Sequence, residues 1–514
     1  MRRVGLAIAT FLAAWAVAAA PATAAVQPAW AALEIGPLFP QCTPDTCDDD
    51  ISSWDINAKG WVVGDAFPDF HWAWIWKGDT MDVIGRGPGP FTDAGALAVN
   101  SVGDSAGYMD DFNETTDDLT HPFLARGGVL TDLGTLGGDF GEGLGLNDGD
   151  VVVGDSATGS GARHAFRWQA GVMHDLGTLG GTTSAATGIN GSGEVVGWAQ
   201  NAAGRARAFR IQGGGAMAGL GTLGGAESFA RALNSSGQIV GWATNAAGRM
   251  RAFRIQGGDA MAGLGTLGGA ESVAEALNGS GQIVGWADTA SGAQHAFLFS
   301  SGHMTDIGRL VPGAVASQAS DITNAGDVVG SATRGNGATV GFLYRNGAVT
   351  LLESRTMTCC QVVGGGLNQN LQIIAHGLIG GFIVPVLEPV TPADENSAKI
   401  TYSGAWTRHT SSGAWNGKVM SSSTAGSSAR FTFTGRRVWW IAPMGVGGGM
   451  ARVFVDGQLK ATVDLAVLTG SFTRRQTAYQ QSFAAVGTHT LRIVVAGTPG
   501  HPRVDIDAFA VSQL

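Results

Sequence analysis

Charge and cysteine are both scarce in this sequence: only 14% of its residues are Asp, Glu, Lys or Arg, and there are four cysteines among 514 residues. With 44% hydrophobic residues, the low charge excludes a chain disordered by composition. A formal charge of −10 excludes a general nucleic-acid binder. Beyond Ala24 no run is apolar enough to span a bilayer, and helical periodicity is missing throughout. Proline is modest at 16. Glycine reaches 81, without the every-third-residue spacing of collagen, so the glycines are read as turn positions.

What is present begins with a leader. Arg2 and Arg3 precede an apolar run from Val4 to Ala20 and small residues at Ala22, Thr23 and Ala24, the layout of a signal peptide over residues 1–24. Cleavage there takes the charge to −10 − 2 = −12. The protein is therefore expected to be secreted, with its even number of cysteines in an oxidising compartment.

A repeat follows. Gly197–Val240 matches Gly241–Val284 at 38 of 44 positions, the mark of an internal duplication. In that register a pattern (I/L/V)-N-x-x-x-x-V-V-G recurs with Asn57, Asn100, Asn147, Asn190, Asn234, Asn278, Thr323 and Asn368 in its second place. Each copy then carries a small-aromatic pair, ending in Trp74, Phe123, Phe166, Phe209, Phe253, Phe297, Phe342 and Phe382. An Ile/Leu-Gly element closes most copies, as at Leu133-Gly134 and Ile307-Gly308, and stands alone at Ile35-Gly36 before the first.

The elements are short, rich in Val, Ile, Phe and Trp, and bounded by Asn-Gly, Ser-Gly or Gly-Gly. About four strands per 44 residues is the period of a propeller blade. The expected fold is all-β: a β-propeller of seven or eight blades over residues 33–384, with the first strand completing the last blade. Cys42 and Cys47 fall in the same loop of the first copy as Cys359 and Cys360 in the last. Disulfides across the seam and a local Cys42–Cys47 bridge both fit.

HAFRW (His164–Trp168), HAFLF (His295–Phe299) and the DLGTLGG runs from Asp132 and Asp175 resemble bacterial extracellular repeats of the HAF type. The resemblance implies secretion and a propeller-like repeat and brings no catalytic residues. Trp72, Arg207, Arg251, Val340 and Gly380 stand where other copies have His121, His164 and His295, which argues against a shared histidine function.

Past Val384 the Pro- and acid-rich stretch 385–399 reads as a linker, and residues 400–514 as a β-sandwich with a hairpin turn at Asp456-Gly457. The order YSGAW (Tyr402–Trp406), FTFTG, VFVDG, HTLRIVV and VDIDAFAV resembles jelly-roll, galactose-binding-like domains, often carbohydrate-binding modules. That likeness implies sugar rings held on aromatic faces. Trp406, Trp415, Trp439, Trp440 and Tyr479 are the candidates, with at least one of the adjacent Trp439 and Trp440 in the core.

In the repeats, Trp198, Trp242 and Trp286 share one position. Packing between blades and a stacking platform for a glycan, with Arg205 and Arg249 adding charge, both fit. Other motifs dissolve into the repeat. Ser105 in Gly103-Asp-Ser-Ala-Gly107 falls on a repeated strand rather than a nucleophile elbow. Gly219-x-Gly221-x-x-Gly224 is a turn without a following helix. The acidic loop Asp110, Asp111, Asn113, Glu114, Asp117 and Asp118 lacks EF-hand order. Asn190, Asn234 and Asn278 satisfy N-x-[ST] but head turns that use the side chain locally.

Together these features predict a secreted, monomeric, non-enzymatic protein that binds carbohydrate or a cell-surface polymer, with no cofactor, metal site or nucleic-acid partner. Two alternatives stand beside it: a secreted polysaccharide hydrolase or lyase with an appended binding module, and an adhesion or surface scaffold. The enzyme needs acids converging on the channel. Asp104 and Asp155, which break the repeat, read as turn or strand-end positions.

Overall fold

A computed structural model describes residues 29–32, 50–352 and 366–514, apart from 68–71, 79, 86, 112–118, 375–377, 380–381, 384–385, 412–413, 446 and 467–472. The leader, all four cysteines, and Asn113, Glu114, Asp117 and Asp118 of the acidic loop lie outside the described residues.

The chain is all-β. Seven four-stranded antiparallel sheets follow one another, each built from strands consecutive in sequence. The first runs from Asp50 to Gly85, the third from Gly137 to Asp175 and the seventh from Ala314 to Leu351. Each begins with a strand whose other edge pairs with no strand among the described residues, called here the inner strand. An eighth set is assembled from distant pieces: Ile373–Ile374 pairs with Val386–Asp394, which pairs on its other side with Ala29–Ala32. The first described strand, Ala29–Ala32, is thus paired with a strand more than 350 residues later, while the Ile35-Gly36 element expected at the seam lies outside the described residues.

Two repeated positions explain why these residues make these sheets. The glycine of V-V-G stands opposite the buried aromatic of the third strand, Gly154 against Phe166 and Gly285 against Phe297. A Cβ on Gly154 would collide with the Glu142 carbonyl oxygen, so no larger residue fits against the backbone of the inner strand. The asparagine heads the turn before it. The Asn147 side-chain oxygen accepts the amides of Gly149 at 3.0 Å and Val151 at 3.1 Å, an Asx turn.

The amide nitrogen of the same side chain reaches the next sheet. Asn57 donates to the Asn100 carbonyl at 2.9 Å, Asn147 to Asn190 at 3.2 Å, Asn234 to Asn278 at 3.0 Å and Asn278 to Thr323 at 2.9 Å. Asn368 donates back to Asn57 at 3.2 Å, so this series returns to its starting residue. Thr323 has no side-chain amide to give; beside it the Asn324 main-chain N–H donates to the Gln369 side-chain oxygen at 2.9 Å. Asn368→Ala removes the turn bonds and the return bond together and should cost about 1–3 kcal/mol, measured by denaturant unfolding.

The stretch expected as a linker is not one. Val386–Asp394 is a nine-residue strand that joins the last repeat by its first half and, through Thr391–Asp394, pairs with Ala508–Val511 of the C-terminal domain. Proline at 389 and 392 suggests an unstructured connection, yet both sit within the strand. The domain beyond is a sandwich. Its larger sheet centres on Ser428–Met444, flanked by Thr473–Val495 and Ala508–Ser512; the smaller joins Thr407–Thr410, Lys418–Ser422 and Val504–Ile506. Asp456 and Gly457 make the hairpin turn with φ of 50° and 83°.

Trp439 and Trp440 point to opposite faces, and both are core. Trp440 lies among Phe431, Phe509 and Val453 inside the sandwich. Trp439 packs with Trp415, Ile441 and Ala508 against Val62, Trp74 and Trp76 of the first sheet. The sandwich is therefore docked on the repeat region through a shared apolar core.

Candidate functional site

The residue after the V-V-G glycine faces away from the buried aromatic, because side chains alternate along a strand. Around the sheets this position holds Asp65, Tyr108, Asp155, Trp198, Trp242, Trp286 and Ser331. Its neighbour on the third strand is small: Ala73, Pro122, Ala165, Ala208, Ala252, Ala296 and Gly341 in the same order. The small member of each small-aromatic pair leaves room for whatever the second strand carries. The position is thus free to vary, and it divides into an acidic arc and an aromatic one.

In the aromatic arc Phe229 lies between two of the tryptophans, 5.6 Å from Trp198 and stacked on Trp242 at 4.5 Å and 22°. All three tryptophans are half-buried. Trp286 faces Val273, which replaces Phe229 in the duplicate copy, so the stack stops at Trp242. Packing between sheets accounts for these contacts.

In the acidic arc Asp155 stands directly across from Glu142 on the inner strand of the third sheet. Opposed residues share a face, with Cβ atoms about 5 Å apart. Burial raises both carboxyls above their ordinary range, Glu142 further through the Asp155 charge, while Arg163 opposes the rise in each. The Arg163 Nε donates to Asp155 at 2.6 Å, and the guanidinium lies 3.7 Å from the Phe140 ring centroid. Tyr108, folded against Gly95, is pushed up by burial and then by Asp65, Asp110, Glu142 and Asp93, so its hydroxyl stays protonated. The Asp65 carboxylate accepts the Trp54 indole N–H. The arrangement offers two carboxyls on one face, one of them bonded by Arg163, the ingredients of general acid–base chemistry.

Asp155 corrects the sequence reading. It lies in the middle of the Val152–Thr158 strand, 5% exposed, rather than at a turn or strand end. Asp104, by contrast, is a turn residue whose carboxyl is raised by burial and by Asp150. Ser105 is buried within its strand.

Trp415 is buried against the first sheet and presents no open face. Trp406 is half-buried beside Tyr402 at 5.2 Å and donates to the Ser403 carbonyl; Tyr479 is half-buried and bonds Gln481. The structure does not bring Trp406 and Tyr479 together with the repeat-region tryptophans.

The repeated histidines have a local explanation. His121, His164 and His295 each hold an aspartate eleven residues on, Asp132, Asp175 and Asp306, at 2.9 Å. That aspartate in turn accepts a loop amide, Gly134 at 2.8 Å and Gly177 at 2.7 Å. Where arginine replaces the histidine, at Arg207 and Arg251, glycine replaces the aspartate, at Gly219 and Gly263, and the arginine bonds a carbonyl of the next sheet instead.

Two further acids break the repeat. Asp55 and Asp321 each cap the next repeat by accepting a main-chain amide, Val99 and Leu367, both at 2.9 Å. Burial pushes Asp321 up to about 6. The folded chain holds this proton more firmly than the unfolded chain, whose value is near 3.8, so the contribution to stability is full below pH 3.8 and lost as pH rises through 6. Asp321→Asn should flatten that part of the pH dependence of thermal unfolding. Among the described residues no group of three or more His, Cys, Asp or Glu is placed to hold a metal ion.

No family model matches the chain. It is 31% identical over 147 residues to the A type blood N-acetyl-alpha-D-galactosamine deacetylase of Flavonifractor plautii, covering 29% of this chain and 18% of that protein. It is 34% identical over 109 residues to the A type blood alpha-D-galactosamine galactosaminidase of the same organism, covering 21% and 10%. The chain thus spans less than a fifth of either relative. Solved structures similar to part of it include carbohydrate-binding modules and glycosidase domains. A family 35 module from Clostridium thermocellum is 14% identical, with a TM-score of 0.18, over 24% of this chain and 98% of that one. The CBM36-1 domain of a xylanase from the hindgut metagenome of Trinervitermes trinervoides is 13% identical, with a TM-score of 0.18, over 24% and 94%. A GH87 alpha-1,3-glucanase catalytic domain is 12% identical, with a TM-score of 0.19, over 24% and 28%.

Both sequence relatives are named as carbohydrate-active enzymes. This overturns the expectation of a non-enzymatic binding protein and favours the alternative of a polysaccharide hydrolase or lyase.

Proposed function

We propose that this chain is a secreted carbohydrate-active enzyme, a glycan hydrolase or lyase, in which an eight-bladed HAF-type propeller carries the reacting groups and the sandwich holds glycan. The observation that carries the reading is the opposed pair Glu142 and Asp155, two carboxyls on one face of the third sheet with Arg163 bonded to Asp155 and Tyr108 at the matching position of the neighbouring second sheet. Glu142, whose carboxyl is raised by burial and by the Asp155 charge and which Arg163 does not bond, is assigned the proton donation to the leaving oxygen. Asp155, whose charge Arg163 supports, faces the opposite demand. The asparagine series that returns from Asn368 to Asn57, with Ala29–Ala32 in the last repeat, supports a closed ring of eight blades.

The names of the relatives direct the choice of substrate. The full chain is incubated with glycans ending in α-linked N-acetylgalactosamine or galactosamine and with a panel of plant and bacterial polysaccharides. Products are read as new reducing ends for a hydrolase and as ultraviolet-absorbing unsaturated sugars for a lyase. Release of either supports the proposal, and absence of both across the panel overturns it.

A further inference from the structure

Each of the seven four-stranded sheets carries the same irregularity: one extra residue on the inner strand, where the register with the second strand slips. The slips fall between Ser53 and Asp55, Ala96 and Ala98, Gly143 and Gly145, Ala186 and Gly188, Ala230 and Ala232, Ala274 and Ala276, and Ala319 and Asp321. A bulge of this kind turns its extra side chain out of the regular alternation and is common beside binding sites. The residues flanking it are almost all Ala, Gly or Ser. The extra residues are large or polar: Trp54, Leu97, Leu144, Thr187, Arg231, Glu275 and Ser320.

Contacts between neighbouring bulges show that they adjoin. Thr187 Oγ1 donates to the Ala230 carbonyl of the next sheet at 3.1 Å, and the Arg231 Nε lies 3.8 Å from the Glu275 carboxylate of the sheet after. The order is not random around the series. Trp54, Leu97 and Leu144 make one side apolar, and Thr187, Arg231, Glu275 and Ser320 make the other polar. Trp54 is 53% exposed, a costly placement for an indole, and its N–H is fixed on Asp65 of the acidic arc.

We infer that the bulge residues form a sugar-binding ring at the central opening, in which one pyranose ring stacks its C–H face on Trp54, backed by Leu97 and Leu144, and turns its hydroxyl edge to Arg231, Glu275, Thr187 and Ser320. A pyranose has this divided polarity, an apolar face bordered by hydroxyls. The Trp54 to Asp65 bond ties the ring to the carboxyls of the acidic arc. The inference rests on the closed-ring and carbohydrate readings above and assigns them a binding subsite.

The test is calorimetric titration of the full-length Glu142→Gln variant with a trisaccharide ending in α-linked N-acetylgalactosamine and with neutral xylo- and gluco-oligosaccharides. It is repeated after adding Trp54→Ala, Trp54→Phe or Arg231→Ala. Trp54→Ala should weaken the tightest of these probes about tenfold or more, Trp54→Phe should retain most of the affinity because the stacking face remains, and Arg231→Ala should weaken it by a smaller factor. Arg231 is half exposed, so its variant folds even where a Trp54 variant does not. Unchanged affinity in both Trp54→Ala and Arg231→Ala overturns the ring subsite while leaving the enzyme reading intact. Absence of both binding and cleavage by the full chain overturns the underlying reading with it.

Discussion

Replacing Arg437 by alanine is expected to destabilise the folded protein by about 3–5 kcal/mol, because it strands a buried carboxylate. Arg437 lies on the central strand of the sandwich and Glu388 on the strand shared with the last repeat; their side chains are 2% and 1% exposed and meet at 2.6 Å. The same guanidinium donates to the Gly78 carbonyl of the first sheet at 2.8 Å and to Ser482 at 2.8 Å. Glu388 also accepts from Gln372 at 2.9 Å. Four parts of the fold therefore meet on one ion pair: first sheet, last repeat, shared strand and sandwich. The neighbouring Arg436→Ala should shift stability by no more than about 0.5 kcal/mol. Arg437→Met with Glu388→Leu should recover most of the loss, since a matched apolar pair leaves no charge behind. Thermal unfolding and limited proteolysis of the sandwich read all three; an Arg437→Ala protein as stable as the parent contradicts the assignment.

Glu142→Gln and Asp155→Asn are each expected to lower turnover of a cleaved glycan by about 10²–10⁴-fold with little change in stability. The amides keep the shape of the carboxyls and remove the proton transfer. The two should differ in pH profile. Loss of the proton donor Glu142 removes the fall in rate at high pH, and loss of Asp155 removes the fall at low pH. Tyr108→Phe should cost less than either, since it removes a hydrogen-bond donor and not a carboxyl. Full activity in both carboxyl variants excludes this pair as the reacting groups.

The sheets themselves were legible because each repeat states its geometry twice. The asparagine marks a turn whose backbone demands are met by its side-chain oxygen, and the glycine marks the strand position under the aromatic ring. The acidic arc is not legible in sequence because Asp155 occupies a place where other copies have tryptophan, and a carboxylate inside a strand looks like a strand end until its partner Glu142 is placed across the register. The bulges are invisible in sequence for a related reason: each of the seven four-stranded sheets has the extra residue, so it leaves no difference between those copies. Proline and acidic residues signal a linker over Val386–Asp394, whereas Pro389 and Pro392 lie in a strand and Glu388 is buried on Arg437.

The pairing of Ala29 with Val390 also orders events in time. During synthesis the first strand emerges long before its partner exists, so until the repeats are complete it remains an unsatisfied strand edge, the kind of surface that promotes aggregation. Contacts between such distant positions form slowly. Assembly of the last repeat should therefore be the slowest step of refolding, and a chain shortened before Val386 should accumulate as an open, association-prone intermediate.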